Sequence, residues 1–140
     1  MASQVIEDIV VEEPPPESTE ELSMKPTAVE LSETLTRGIE RLDVLEERLG
    51  VSIENLYVKI PPDYSYLRIM GELHSATGTT LSEWTKVVAV VYDSEGRVIA
   101  TNENFFFEDK FFGFDVIDIG MRGDDIALRA HKIRVFPKTG

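Results

Sequence analysis

The chain has 140 residues, enough for one domain with its own hydrophobic core. Its net charge of −12 argues against nucleic-acid binding, which needs Lys and Arg to displace phosphate counterions, and against anionic membranes for the same reason. It has no cysteine, which removes disulfides, thiol nucleophiles and Cys-ligated metals together. No apolar stretch approaches the roughly 18 residues of a membrane span. The first residues lack the basic and apolar regions of a signal peptide, so the cytoplasm is the expected location.

Residues 1–26 read as a disordered acidic tail. Seven acids stand there against the single base Lys25, and Pro14, Pro15 and Pro16 favour an extended chain. Within it, Val5, Ile6, Ile9, Val10 and Val11 form a small apolar island, either an unstructured end or a short docking motif.

Residues 27–50 read as one amphipathic helix. Thr27 with Glu30 has capping-box spacing, and Gly50 stands where a helix-terminating glycine belongs. Leu31, Leu35, Leu42, Leu45 and Leu49, with Ala28 and Gly38, keep an a/d register over about three heptads. Arg41 then falls at g and Glu46 at e, the offset of an interhelical ion pair in a parallel dimer. Ile39 widens the stripe, which also suits a helix lying on its own domain or on a neighbouring subunit. Both readings stay open at this point.

Residues 51–140 read as a β domain. Strands are expected at 56–60, 66–73, 84–92, 97–101, 104–107, 111–119 and 126–136. The strand at 84–92 (WTKVVAVVY) is apolar on both faces near its middle, as a covered central strand would be. Asp93 to Gly96 makes a tight turn into its partner, and the Ser/Thr/Gly-rich stretch from His74 to Ser82 is a loop. Many short strands separated by turns indicate an antiparallel β-sandwich.

No chemistry-bearing constellation emerges. His74 and His131 lie 57 residues apart, outside any zinc spacing. Ser75 beside His74 sits in no nucleophile elbow, and no phosphate-binding glycine loop occurs. Asp115, Asp118, Asp124 and Asp125 cluster near Gly120 and Gly123, but they miss the calcium-loop pattern and read as a solvated turn. No cofactor, metal or catalytic residue is expected. A carboxylate-dependent enzyme and a calcium-binding domain remain only as weaker alternatives.

The least ordinary segment is Phe105-Phe106-Phe107 through Phe111-Phe112 to Phe114, six of the seven phenylalanines within ten residues. Alternation along a strand separates Phe106 from Phe105 and Phe107, and Phe111 from Phe112, so one buried face cannot hide them all. This hairpin needs a cover, and the leucine helix or another subunit is the expected one.

The string VVAVVYDSEGRVIAT, with Gly71 a strand and loop upstream, resembles the FxLYD family of immunoglobulin-like domains. Tyr92 and Asp93 match its Tyr-Asp, Val91 stands for its Leu, and Ala89 stands where the Phe would be. The Phe-rich stretch before Phe114-Asp115-Val116 also resembles the family's next strands, and His74 stands where an Asn would be usual. Over residues 66–136 the resemblance implies an immunoglobulin-like β-sandwich and a non-enzymatic, mostly extracytoplasmic binding domain, which conflicts with the location expected above.

The fold class expected is therefore mainly β: an immunoglobulin-like antiparallel sandwich, one N-terminal amphipathic helix and a disordered acidic tail. The function expected is a non-catalytic protein-binding or assembly module that forms homo-oligomers and binds neither nucleic acid nor membrane. Leu35, Leu42, Leu45, Leu49, Phe105, Phe106, Phe107, Phe111 and Phe112 are the candidate interface residues. A structural subunit of a larger assembly is the alternative, and the protein partner is unknown.

Overall fold

The leucine-rich segment folds as two helices rather than one. In the computed structural model, which describes residues 26–139, α1 spans Ala28–Arg37 and α2 spans Asp43–Leu49. The acidic tail expected over 1–26 lies, Pro26 apart, outside the described residues. The capping box forms as expected: Thr27 Oγ1 accepts the Glu30 N–H and Glu30 Oε1 accepts the Thr27 N–H, both at 3.0 Å. Gly50 ends α2 in the left-handed conformation, at φ 71°.

The break comes at Gly38, whose N–H caps the carbonyls of Thr34 and Leu35. Ser32 and Thr36 donate back to the carbonyls four residues earlier, a habit that weakens a helix interior. What draws the chain out of the helix is strand β1 (Glu40–Arg41), which pairs in parallel with a strand near residue 134. There Glu40 takes a hydrogen bond from Arg134 Nε at 2.7 Å and lies 3.3 Å from Lys132 Nζ. The continuous heptad register is thus interrupted. Arg41 and Glu46, expected to pair between two chains, pair within one at 3.8 Å.

Six further strands follow: β2 (Val51–Lys59), β3 (Tyr66–Ser75), β4 (Thr85–Tyr92), β5 (Val98–Phe106), β6 (Phe114–Arg122) and β7 (Lys132–Thr139). They form two sheets, one in the order β1-β7-β4-β5 and one in the order β2-β3-β6. Apart from the β1–β7 pair, all pairings are antiparallel. The protein is mainly β, as expected. The segments expected as separate strands at 97–101 and 104–107 are one strand, β5. The strand expected at 126–136 begins instead with a single helical turn, α3 (Ile126–Arg129), because Ile126, Ala127 and Ala130 plug the core at helical spacing.

The two sheets share one core. Val87, Ala89 and Val91 of β4 and Ile133 and Val135 of β7 are buried in it with Leu67, Ile69 and Leu73 of β3 and Ile117, Ile119 and Met121 of β6. Period-two alternation supplies these inward rows. β4 is central, as expected, yet covered on one side only: Lys86, Val88, Val90 and Tyr92 on its other face are half-buried.

Side chains close both flanks of the β2-β3-β6 sheet. On the β2 side, Val58 N–H donates to Thr36 Oγ1 at 2.8 Å and Ile53 N–H to Glu46 Oε1 at 3.1 Å. Arg41 Nη1 donates to the Ile53 carbonyl. On the β6 side, Asp118 N–H donates to Asn104 Oδ1 at 2.9 Å, and Asn102 Nδ2 donates to the Gly120 carbonyl at 2.8 Å. Polar groups from the helices and from β5 thus end ladders that would otherwise present an open edge.

Within β2 the register slips between Glu54 and Tyr57, with Asn55 in the left-handed region at φ 56°. This bulge lays Leu56 directly over Gly71 of β3. A Cβ on Gly71 would stand 2.7 Å from Leu56 Cδ2 and 3.2 Å from the Glu54 carbonyl oxygen. Only glycine fits there.

Candidate functional site

The six clustered phenylalanines split three ways. β5 and β6 belong to different sheets, so the segment between them is a corner crossing from one sheet to the other, not the hairpin expected. A short 3₁₀ turn, Glu108–Lys110, makes the crossing. Phe106 and Phe111, on either side of it, turn inward to 4% and 2% exposure. They meet edge to face at 6.5 Å between ring centres and plug this end of the core.

The others face outward. Phe105 and Phe107 share one side of the strand and stack on each other at 6.5 Å, with Trp84 5.9 Å from Phe105. Lys86 Nζ lies 5.8 Å from the centre of the Phe105 ring. Phe112 is 82% exposed. Phe114 stacks on His74 at 5.3 Å on the outer face of β3 and β6, where Val116 and Tyr57 are also exposed.

The expected cover is elsewhere. α1 packs along β2, and α2 packs against β2 and β7. Those strands flank the side of the molecule opposite β5 and β6, because β5 ends one sheet and β6 ends the other. The leucine helices therefore close the β2 edge and leave the phenylalanine corner to solvent.

The candidate interface residues are correspondingly divided. Leu35 is a core residue at 3% exposure, and Leu49 packs against the same core. With Phe106 and Phe111, Leu35 has no surface to offer a partner. Leu42 and Leu45 are half-buried at the turn into α2 and within it. Phe105, Phe107 and Phe112 are the members of the set that can be touched from outside. Trp84, Phe114, Val116 and Tyr57 join them; their signal in the sequence was the phase of the strand alternation, which the bulge in β2 and the change of sheet after β5 concealed.

The polar candidates are held in local contacts. His74 Nε2 lies 2.8 Å from Glu72 Oε1, and that contact together with a bond from Asn55 Nδ2 holds the Glu72 carboxyl below its usual range. Ser75 Oγ donates to the Thr80 carbonyl at 2.7 Å, bracing the loop. His131 is exposed. Of the four aspartates, Asp118 forms a two-pronged pair with Arg68 at 2.7 and 2.8 Å, which lowers its pKa, and Asp115 accepts the Val116 N–H. Asp125 starts α3 in the left-handed conformation. No three His, Asp or Glu side chains among the described residues are gathered as a metal site. Nor is any helix among them long and apolar enough to cross a membrane.

No protein-family model matches the chain, and no curated protein matches it. Among solved structures, the crystal structure of Campylobacter jejuni cj0090 is similar over 74% of this chain and 98% of its own, at 14% identity and a TM-score of 0.41. A likeness that slight carries neither fold nor function across.

Proposed function

We propose that this chain is a non-catalytic protein-binding and assembly module, built on an immunoglobulin-like sandwich, that self-associates through its phenylalanine corner. The observation that carries the reading is the outward set Phe105, Phe107, Phe112, Phe114 and Val116, five large apolar side chains within twelve residues around one connection. Its stacked part, Phe105 and Phe107 with Trp84 at the β4-β5 end, is costly in water and gains when a partner covers it, while Phe114 and Val116 are exposed on the other sheet. It also supplies the rigid, amphipathic contact area in which interfaces are enriched. The core beneath it is filled by Phe106 and Phe111, so the outer rings are not needed to hold the fold.

Sedimentation velocity of the full chain tests this. Phe107→Ser combined with Phe112→Ser should reduce the associated species while leaving the melting temperature close to native. A native chain that sediments as a monomer at every concentration would remove self-association. A discrete dimer or tetramer fits a module, whereas open-ended growth favours a structural unit of a larger assembly.

A further inference from the structure

The chain has a net charge of −12, yet bases gather at one end of a sheet among the described residues. On the outer face of the β2-β3-β6 sheet, Lys59 is paired with Arg68, Arg68 with Gly120, and Tyr66 with Arg122. The strand ladders thus bring three bases together at one end of the sheet. Tyr66, Arg68, Gly120, Met121 and Arg122 line a groove there, with no acid among them. Gly120 has open space where a side chain would stand, so it forms the floor. Arg68 is engaged by Asp118. Arg122, in contrast, lies over the Tyr66 ring at 5.4 Å and is exposed, while Lys59 is exposed on β2, across β3 from it and within the field of Asp118.

The described chain begins at Pro26, tied to the connection that leads into β3. Tyr64 Oη donates to the carbonyl of Pro26 at 2.6 Å, and Tyr64 stands two residues before Tyr66. Upstream of Pro26 lie Glu21, Glu20 and Glu17, five to nine residues away. At about 3.3 Å per extended residue they reach roughly 16–30 Å, more than enough to span the groove. We propose that segment 17–21 of this chain docks on the Lys59–Arg68–Arg122 groove, its carboxylates pairing with Arg122 and Lys59. Connection through a short linker gives these acids an effective concentration on the order of millimolar, so a weak ionic contact is populated without any second molecule. Docking also sets the three acids of this segment, Glu17, Glu20 and Glu21, against a basic groove, leaving the aromatic corner on the opposite end of β6 free.

The chain has no cysteine, so Ser18→Cys in the full-length protein takes a single nitroxide label next to the acids. In dilute, low-salt solution the label should weaken the amide NMR signals of Arg68, Gly120 and Arg122 selectively. Molar salt, which shortens the Debye length to about 3 Å, should restore them. Arg122→Glu should do the same, as should Lys59→Glu, and combining Arg122→Glu with Glu20→Lys and Glu21→Lys should bring the weakening back. Should a variant lower the melting temperature, the salt titration of the native background decides. Signals weakened elsewhere, or not at all, overturn the proposal. So does weakening that arises only between molecules, seen by mixing spin-labelled unenriched chain with unlabelled ¹⁵N chain, which would make a second copy the occupant.

Discussion

Glu46 Oε1 accepts the backbone N–H of Ile53 at 3.1 Å, so a carboxylate from α2 terminates the outer edge of β2. Only 5% of this glutamate is exposed. Its second oxygen has no hydrogen bond and sits 3.8 Å from Arg41 Nε. Burial raises the Glu46 pKa above the ordinary value of 4.5, outweighing the lowering by Ile53 N–H and Arg41, while Asp43 and Glu54 add to the rise. The residue is both a strand cap and a charge held where charge is disfavoured.

These two roles separate by substitution. Glu46→Ala strands the Ile53 N–H and should lower the unfolding free energy by about 1–3 kcal/mol, measured by urea titration. Glu46→Gln keeps the acceptor and removes the charge, so it should match native stability at acid pH, where Glu46 is protonated. For an acid with a raised folded pKa, the folded chain holds the proton more tightly. Its stabilising contribution is complete below the unfolded pKa and is lost as pH rises through the folded one. The stability of E46Q relative to native should therefore increase from acid to neutral pH. Parallel pH curves for the two proteins would exclude the titration.

Gly71→Ala tests the bulge. Its methyl would press on Leu56 Cδ2 and on the Glu54 carbonyl oxygen, and the latter is backbone that cannot step aside. The expected loss is about 1–3 kcal/mol, the usual cost of overpacking. Leu56→Ala in the same chain should recover part of it. Equal losses in the single and double variants would show that Leu56 is not the obstacle.

The leucines that share a heptad phase should not behave alike. Leu35→Ala empties a core position and should cost about 2–5 kcal/mol. Leu42→Ala, at a half-buried turn, should cost clearly less, and sedimentation should be indifferent to both. A fall in mass with either variant would return the helices to an intermolecular seam.

Asn102 and Asn104 guard the β6 edge. Replacing both with Ala removes the partners of the Gly120 carbonyl and the Asp118 N–H, and exposes two ladder groups. Light scattering on heating should show earlier aggregation than native, since an uncovered edge strand templates pairing. Unchanged scattering with an unchanged melt would mean that water serves the edge as well.

Much of this architecture was legible where it is local. The Thr27–Glu30 capping box, the Gly50 terminator and the turn in which Asp93 N–H bonds the Arg97 carbonyl all rest on residues a few positions apart. The helix break was not, because Leu35 and Leu42 keep the same seven-residue phase on either side of it. The contact that decides it joins Glu40 to Arg134, 94 residues on. The phenylalanines showed that they could not share one face, but not that the chain changes sheets between Phe107 and Phe114. The basic groove was invisible for a related reason: Lys59, Arg68 and Arg122 are scattered in the chain, and the strand register alone makes them neighbours.

β7 is made after every strand it joins, yet it lies between β1 and β4. Until it emerges from the ribosome, β1 has no partner in its sheet and β4 has only β5. The N-terminal helices can then grip β2 but not the second sheet. Folding of the nascent chain should accordingly stall with the β4-β5 pair lacking its third strand and β1 unpaired, and complete in one late step when β7 inserts between them. An arrest-peptide force profile would show that step as a single release near the full length of the domain, because its long-range contacts close together.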